Sequence, residues 1–471
     1  FLKKKTILAI IVIFAVLIGA ELRFRDLELR PMHTDEAVQA ARLGDLIENK
    51  KFNYNPEDGH GPGLLYLSLP ITWVKSINDY KGLDEITLRM VPALCGTLLI
   101  ISLLLFKKLI GTAGVVAAIW LSALSPMHVY YSRYFIMEIP LVAILSIFIF
   151  CCWKYFYNEK FRWMLGAGIC CAFMHATKET FIISVAALVI AVTVLFIWEE
   201  ITDRKGARLQ TGMLIKNTGI SLGITLLISA ALYSLLFTNT EAIGQSYLTY
   251  FDYLKRAEGH GHEKPFLYYI ELLTWKKMEL YTWSELLILC LAIIGAISSF
   301  LFKGIPVKEQ IFIRSISLYT LITLIIYSSI NYKTPWSILP FLHGATIVAG
   351  IGFNALWKIE NKSKIVNFSI KGSLLLLFIY SSFLLYKQNR IANFKFPANA
   401  DRNPYVYSHT SPSLVNKLVK TVNELQGIKG DMFLAHWGES ENAKAELGRL
   451  EILGTFAAVE KETIRLISAE T

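Results

Sequence analysis

The sequence contains little charge. Of its 471 residues, only 18% are Asp, Glu, Lys or Arg, whereas a soluble domain typically has about 25%. The first 385 residues, approximately, also lack the polar linkers at which a soluble chain of this length divides into domains. These two absences exclude a soluble globular enzyme, and the 54% of hydrophobic residues excludes a disordered chain.

Cysteine is scarce and shows no metal-ligand spacing. All six cysteines lie inside apolar runs; they are Cys95, Cys151, Cys152, Cys170, Cys171 and Cys290. Such residues are interpreted as small buried apolar side chains, and they carry no information about the redox compartment. The chain also lacks a clear internal repeat and low-complexity segments, so neither a solenoid nor an array is indicated.

Long hydrophobic runs are abundant. Eleven of them contain no Asp, Glu, Lys or Arg: 6–20, 90–106, 111–132, 139–153, 163–177, 180–198, 217–240, 286–302, 315–332, 334–357 and 372–386. A spanning helix needs roughly 17–25 apolar residues, and shorter runs can span when flanking Lys, Arg or Tyr side chains reach the interface. The runs predict an all-α polytopic membrane protein with about 11 and at most about 13 transmembrane helices.

The distribution of positive charge predicts an orientation. The net charge is +10, which in a soluble protein would suggest nucleic acid binding. Here Lys and Arg alternate with the runs, and the short loops on one side contain only Arg133, Lys178 and Lys333. The positive-inside rule therefore predicts a cytoplasmic N-terminus and an external C-terminus. Because membrane topology accounts for the positive charge, no nucleic acid partner is expected. The first run could instead be a signal peptide, although Ile18-Gly19-Ala20 is a poor cleavage site.

Two loops on the predicted outer side are long, 21–89 and 241–285. The half-apolar segments 64–77 and 265–284 within them, rich in Tyr and Trp, predict helices lying on the outer surface. We therefore divide the chain into a transmembrane domain, 1–386, and a small external α/β segment, 387–471. Helical periodicity at 414–425 and a strand-like stretch at 432–435 support that second division.

Ionisable residues at the outer ends of helices are the candidate functional groups. Asp35 and Glu36 beside His33 could supply a general base or metal ligands, or they could simply cap a helix over 36–48. His60, in the sequence His60-Gly61-Pro62-Gly63, could help to bind a phosphate at a helix start, or the segment could be an ordinary Gly/Pro turn.

Three further outer loops contribute charges. Arg133 could bind a phosphate and Glu138 could act as a ligand or base, or the two could pair with each other. Lys178-Glu179 could belong to the site or form an interfacial ion pair, and Lys333 could be only an interface anchor. Six other histidines are interpreted as a solvated loop (His260 and His262), as core residues (His175 and His343), or as tail residues without a motif (His409 and His436).

The order and sidedness of these motifs resemble the C-type (GT-C) membrane glycosyltransferases, which include the protein O-mannosyltransferases and the aminoarabinose transferases of lipid A. Several short motifs are similar to those of one branch, the prokaryotic flippase-activity-associated family. Those matches are His33-x-Asp35-Glu36-Ala37, His60-Gly61-Pro62, Tyr130-Tyr131-Ser132-Arg133-Tyr134, Ala176-Thr177-Lys178-Glu179-Thr180, Lys333-x-Pro335-Trp336 and Tyr407-x-His409-Thr410-Ser411-Pro412. They extend from about residue 20 to about residue 425, whereas 430–471 match nothing in the family.

The resemblance implies a fold and a set of roles. The fold would be a GT-C-like helical bundle whose long first outer loop bears surface helices. Asp35 would be the catalytic base on the acceptor, with Glu36 as its partner and Glu138 as the second-loop acid. Substrate-binding residues would be His33, His60, Arg133, Lys178, Glu179 and Lys333.

The same resemblance implies partners and a location. The donor would be a polyprenyl-phosphate-linked sugar, and the acceptor a lipid, a glycan or a protein at the outer face of a prokaryotic plasma membrane. Some members of the group bind a divalent metal such as Mg, Mn or Zn, for which Asp35, Glu138 and His60 would be the candidate ligands.

Two other functions remain open from the sequence. A flippase or transporter for lipid-linked saccharides would show inverted repeats and charges at the bilayer midplane. A non-catalytic assembly factor would not need Asp35.

The reaction expected of the enzyme is a direct displacement that inverts the anomeric centre.

Overall fold

The apolar runs fold into long helices. The computed structural model describes residues 2–52, 54–55, 60–201, 210–256, 262–301 and 306–407. Its helices are α1 (Leu2–Phe24), α2 (Thr34–Asn49), α3 (Gly63–Val74), α4 (Glu85–Ser102), α5 (Lys107–Leu124), α6 (Pro126–Tyr131), α7 (Glu138–Asn158), α8 (Phe161–Thr177), α9 (Phe181–Ile201), α10 (Thr211–Tyr233), α11 (Glu241–Arg256), α12 (Tyr268–Thr274), α13 (Leu286–Leu301), α14 (Val307–Ser329), α15 (Leu339–Trp357) and α16 (Lys364–Arg390). Short 3-10 turns occur at Tyr80–Gly82, Leu103–Phe106 and Pro335–Ile338.

A helical membrane bundle is confirmed. Eight segments of the described chain are long and apolar enough to cross a membrane: Thr6–Phe24, Glu85–Leu124, Glu138–Asn158, Phe181–Ile201, Thr211–Tyr233, Val307–Ser329, Pro335–Trp357 and Lys364–Lys395. The second of these is 40 residues long and contains two of the predicted runs, separated where Gly111 adopts a φ of 77°. Two other predicted runs form α8 and α13, which have 17 and 16 residues. The chain is therefore a multi-pass membrane protein, and its number of spans stays a prediction.

Helix α15 lies at the centre of the bundle. Within the span Pro335–Trp357, which contains α15, 94% of the most apolar 18-residue stretch is buried inside the protein. Small residues let its neighbours approach closely, because a Cβ atom on Gly352 would lie 2.0 Å from the carbonyl oxygen of Leu291 in α13. A Cβ atom on Gly295 would lie at the same distance from the carbonyl oxygen of Val348. Backbone contact at glycine thus sets the crossing of α13 and α15, as small residues do in membrane helix pairs.

The connection after α1 confirms two predicted helices. The helix expected over 36–48 is α2, and the segment 64–77 forms most of α3. Helix α4 begins at Glu85, so this first connection ends five residues before the apolar run begins at 90. Asp84 caps α4 by accepting a hydrogen bond from the backbone N–H of Thr87 at 2.7 Å, which fixes that start.

The second long connection is only partly helical. Helix α12 has seven residues, and an antiparallel hairpin of β1 (Lys276–Met278) and β2 (Tyr281–Trp283) follows it. The expectation of a surface helix over 265–284 is therefore wrong for its second half. A tight turn at Glu279, whose φ is 40°, reverses the chain there, and Trp283 at the end of β2 is buried.

Asparagine side chains fix the end of α16 and the chain that follows it. A π-helical turn follows at Ile391–Lys395. Asn389 donates to the carbonyl oxygen of Leu124 at 2.6 Å, and Asn403 donates to that of Ala392 at 3.0 Å. The predicted helix and strand at 414–425 and 432–435 lie outside the described residues, as do His260, His409 and His436.

Candidate functional site

The predicted site residues gather at one end of the bundle. They lie in the connections α1–α2, α2–α3, α6–α7, α8–α9 and α14–α15, or in the first turn of the helix that follows. Hydrogen bonds and ring contacts between these connections, described below, join the residues into one region. That convergence follows from helices that begin or end at the same level.

Asp35 and Glu36 have opposite environments. Glu36 is fully buried, and its two carboxylate oxygens each accept a hydrogen bond from Arg89 at 2.8 Å. It also accepts from the backbone N–H of Phe135 at 2.8 Å. Burial alone would raise the pKa of Glu36, but the attraction of Arg89 and Arg30 outweighs it and holds the pKa well below its usual range. Glu36 is thus a neutralised carboxylate that joins α2 to α4.

Asp35 projects from the first turn of α2. Its side chain is 51% exposed, and its carboxylate lies 3.8 Å from Nδ1 of His33. Because the adjacent Glu36 is neutralised by arginine, Asp35 is the carboxylate of the pair that a substrate can reach. An exposed carboxylate of this kind can accept a proton from an approaching hydroxyl.

His33 orients the start of α2. Its Nδ1 accepts a hydrogen bond from the backbone N–H of Asp35 at 3.0 Å, and its backbone N–H donates to Glu36 at 2.9 Å. Since Nδ1 is an acceptor, the ring proton is on Nε2, which donates to the carbonyl oxygen of Tyr407 at 3.0 Å. This reciprocal cap fixes the backbone that presents Asp35.

A second polar pair joins α7 to the end of α8. The Lys178 ammonium donates to Oε1 of Glu138, and both residues are buried. Burial disfavours the charge on Lys178, but Glu138 and then Glu179 outweigh that effect and raise the pKa of Lys178. The other carboxylate oxygen of Glu138 is buried without a hydrogen-bond partner among the described residues.

Glu179 links the α8–α9 connection to the segment before α3. Nδ1 of His60 donates to Glu179 at 2.7 Å, and the Tyr54 hydroxyl donates to the other oxygen at 3.1 Å. Glu179 is buried, whereas the His60 side chain is 24% exposed. The close packing of Gly61 against the carbonyl oxygen of Ala176 holds the two segments together.

Two predicted phosphate ligands are engaged with backbone carbonyls. The guanidinium of Arg133 donates to the carbonyl oxygens of Leu22, Arg25 and Asp26 at the end of α1. The Lys333 ammonium donates to the carbonyl oxygens of Lys264, at 3.0 Å, and Ile330. A donor phosphate could contact either side chain only after some of these hydrogen bonds were released.

The candidate metal ligands do not converge in the described chain. No group of three or more His, Cys, Asp and Glu side chains there could hold a metal ion. Glu138 is paired with Lys178 and His60 with Glu179, while Asp35 lies near His33. This arrangement of the described residues does not fit a divalent cation.

The sequence did not reveal Arg89 as the partner of Glu36. Arg89 directly precedes an apolar run and so looks like a loop residue, although an arginine near the start of such a helix is itself a signal of a buried partner. In the sequence, Tyr407 is only the first residue of a motif. Its contact with His33 depends on the tertiary fold.

A second buried polar cluster lies beneath the site. Glu285, just before α13, accepts hydrogen bonds from the Ser125 hydroxyl at 2.8 Å and the backbone N–H of Met127 at 3.0 Å. Burial raises the pKa of Glu285 to about 7. The rings of His128 and His343 are buried nearby without a hydrogen-bond partner among the described residues. The expectation that His343 is a core residue agrees with this burial.

Comparisons with known proteins identify the fold. Residues 64–241 match the family model described as dolichyl-phosphate-mannose-protein mannosyltransferase, whereas no curated protein matches the sequence. The structure resembles ArnT from Cupriavidus metallidurans bound to undecaprenyl phosphate, with a TM-score of 0.58 and 12% identity over 83% of this chain and 79% of that chain. It also resembles the archaeal oligosaccharyltransferase AglB from Archaeoglobus fulgidus in complex with an inhibitory peptide and a dolichol-phosphate, with a TM-score of 0.55 and 12% identity.

These likenesses differ in extent. The match to AglB covers 95% of this chain but 60% of the archaeal protein, so this chain spans about three fifths of that relative. The family match begins at residue 64, so it includes Glu138 and Lys178 but not Asp35. The resemblance to the C-type glycosyltransferases is confirmed as a shared membrane fold, and the roles of individual residues stay predictions.

Proposed function

We propose that this chain is an integral-membrane glycosyltransferase that moves a sugar from a polyprenyl-phosphate-linked donor to an acceptor at the outer face of the membrane. The single observation that carries the proposal is the exposed carboxylate of Asp35 beside the neutralised Glu36. It lies at the polar end of a bundle that shares its fold with a protein bound to undecaprenyl phosphate.

The chemistry assigns Asp35 as the general base. An acceptor hydroxyl loses its proton to Asp35 as its oxygen bonds to the anomeric carbon. The bond from that carbon to the phosphate oxygen breaks, and the phosphate leaves with the electron pair. Attack from the face opposite the phosphate inverts the anomeric centre, through an oxocarbenium-like transition state.

The leaving phosphate needs positive charge close by. Among the residues predicted to bind the donor phosphate, Lys178 can supply this positive charge most directly. Its ammonium group can donate hydrogen bonds to a phosphate oxygen and to Glu138 at the same time. His60 is the second predicted ligand of the donor phosphate in this region, and Glu179 orients its ring by accepting a hydrogen bond from Nδ1. Glu138 and Glu179 then act by holding Lys178 and His60 in place.

Arg133 and Lys333 support the proposed site through the backbone. Their hydrogen bonds to carbonyl oxygens fix the end of α1 and the connection before α15. Direct phosphate binding by either residue would involve a rearrangement of those contacts.

The test is sugar transfer by the purified full chain reconstituted in lipid. Radiolabelled polyprenyl-phosphate sugars would be supplied with a mixed envelope extract as acceptor, with and without EDTA. We expect Asp35→Asn to lower the transfer rate by at least 100-fold, because the base is lost. Asp45→Asn is the matched control, since Asp45 is also an exposed aspartate on α2.

Each result has a defined meaning. Equal rates for Asp35→Asn and wild type would exclude Asp35 as the base. Loss of transfer on EDTA treatment would establish a metal requirement. If no donor supported transfer, yet labelled lipid moved across empty proteoliposomes, the flippase function would replace this proposal. An absence of both activities would favour an assembly factor.

A further inference from the structure

Three segments that are distant in sequence bring four aromatic rings together beside Asp35. His262 lies before α12, Tyr332 and Trp336 lie before α15, and Tyr407 follows α16. The ring centroids of His262 and Tyr332 are 4.6 Å apart, those of His262 and Tyr407 are 5.6 Å apart, and those of Trp336 and Tyr407 are 5.8 Å apart. We define His262, Tyr332 and Tyr407 as the aromatic shelf, with Trp336 buried beneath it.

The shelf is held in place by polar contacts. The hydroxyl of Tyr407 is hydrogen-bonded to Nδ1 of His262. The segments that bear His262 and Tyr332 pair through backbone hydrogen bonds, one from the N–H of Lys333 to the carbonyl oxygen of His262 at 3.1 Å. A bridge between Glu263 and Tyr332 continues this pairing. Fixed rings of this kind lose little entropy when a ligand stacks on them.

The three shelf residues are partly exposed, whereas Trp336 is 7% exposed. A core aromatic cluster would be closed to solvent, as Tyr130 and Tyr131 are in this protein. Partly exposed rings beside a polar site are instead typical of surfaces that bind an amphipathic ligand.

The shelf adjoins the proposed base. One imidazole ring, that of His33, separates them: its Nε2 donates to the carbonyl oxygen of Tyr407 at 3.0 Å, and its Nδ1 lies 3.8 Å from the Asp35 carboxylate. The backbone of Tyr407 is therefore separated by one imidazole ring from the residue that would deprotonate the acceptor.

Charge at the rim identifies which ligand would fit. The Lys264 ammonium lies 5.8 Å from the centroid of the Tyr407 ring. Lys178 is close enough to Tyr332 to interact with it electrostatically. A cation beside the face of the Tyr407 ring, with a second cation within electrostatic range of Tyr332, suits a sugar that carries a phosphate. The C–H face of the sugar packs on the rings, and the phosphate meets an ammonium group.

We propose that the aromatic shelf of His262, Tyr332 and Tyr407 binds the sugar ring of the lipid-phosphate-linked donor and so selects the sugar. This inference rests on the proposed transferase function, and it adds a subsite that discriminates a sugar-bearing lipid from the bare lipid phosphate. Lys264 and Lys178 neutralise the phosphate next to the bound ring.

The test compares the binding of lipids that differ only in the sugar. Affinities of the full chain in lipid nanodiscs would be measured for bare undecaprenyl phosphate and for undecaprenyl-phosphate mannose, glucose and galactose. We expect wild type to bind at least one sugar-bearing lipid roughly 5- to 10-fold more tightly than the bare lipid. Tyr332→Ala should remove this preference and leave the affinity for the bare lipid within twofold.

A matched control is Trp275→Ala, because Trp275 is an exposed aromatic residue (66%) in the same connection as His262; it should keep the full preference. Tyr332→Phe should also keep most of it, since the ring face is retained. A wild type that binds every sugar-bearing lipid no better than the bare lipid would overturn the proposal. So would a Tyr332→Ala variant that keeps the preference.

The transfer assay separates this inference from the function on which it rests. Sugar transfer by wild type, without any sugar preference in lipid binding, would contradict the proposed role of the shelf and leave the transferase function supported. A sugar preference that depends on Tyr332, without sugar transfer to any acceptor, would support the shelf as a saccharide-binding surface and contradict the transferase function.

Discussion

Adjacent carboxylates in this protein differ in what surrounds them. Asp35 faces solvent at the start of α2, whereas Glu36 is enclosed by Arg89, Arg30 and the backbone of Phe135. A helix turns about 100° per residue, so neighbours along the chain project in different directions. The motif therefore combines one reactive and one structural carboxylate.

The first prediction concerns Glu36. Glu36→Gln leaves two buried guanidinium groups without a counter-charge, which we expect to destabilise the folded chain by about 3–5 kcal/mol. Asp35→Asn, at an exposed position, should change stability by less than about 0.5 kcal/mol. Thermal unfolding of both variants in detergent measures the difference, and a Glu36→Gln variant as stable as wild type would contradict this assignment.

The second prediction concerns Glu285. Burial raises its pKa from 4.5 to about 7, so the folded chain retains a proton that the unfolded chain releases. The stability from this group is complete below pH 4.5 and is lost as the pH rises through 7. Between pH 5 and pH 8, the melting temperature of wild type should therefore fall more steeply than that of Glu285→Gln. Parallel curves for the two proteins would show that Glu285 does not titrate in this range.

At the scale of elements, close helix crossings and short polar links position the site. Glycine pairs let α13 approach α15, and the Lys178–Glu138 pair joins α8 to α7. The outer connections then rest on fixed helix ends. Rigid supports of this kind are what a site built on connections requires.

The third prediction tests the α13–α15 crossing. Gly352→Val would place side-chain atoms where the carbonyl oxygen of Leu291 lies, so α15 must shift. We expect a loss of roughly 1–3 kcal/mol in stability, by overpacking. Gly372→Ala is the control, because nothing lies within 4 Å of a Cβ atom on Gly372, and a gain of up to about 1 kcal/mol is expected there. Equal melting temperatures for both variants would contradict the tight crossing.

At the scale of the whole molecule, the chain shares a membrane fold with ArnT and AglB at 12% identity. Such folds persist because helix lengths and close packing constrain them more than residue identity does. A shared fold does not carry function by itself, which is why the proposals above depend on particular side chains.

The fourth prediction concerns orientation. If the positive-inside rule holds, the exposed Asn331 faces the outside and Lys107 faces the cytoplasm. In a background with Cys290 replaced by Ser, Asn331→Cys should react with a membrane-impermeant maleimide on intact cells. Lys107→Cys should react only after the membrane is opened. The reverse pattern would place the candidate site on the cytoplasmic side.

The sequence alone determined the bundle and the set of candidate residues. Uncharged runs of spanning length must form helices in a membrane, because unpaired backbone groups are costly there. Charges at the ends of those runs identified Glu138, Lys178 and Lys333 without any structure, and the acidic pair beside His33 in the first outer loop identified Asp35 and Glu36. The hairpin at 276–283 was missed, because a short, half-apolar, aromatic-rich segment fits a strand as well as a surface helix.

Only the tertiary structure decided which charges are reachable and which are neutralised. The partners of Glu36 and Glu179 come from residues 53 and 119 positions away in the chain, Arg89 and His60. The aromatic shelf is assembled from connections up to 145 positions apart, as in the contact between His262 and Tyr407. Sequence spacing reports local periodicity, whereas burial and pairing depend on which helix ends meet in space.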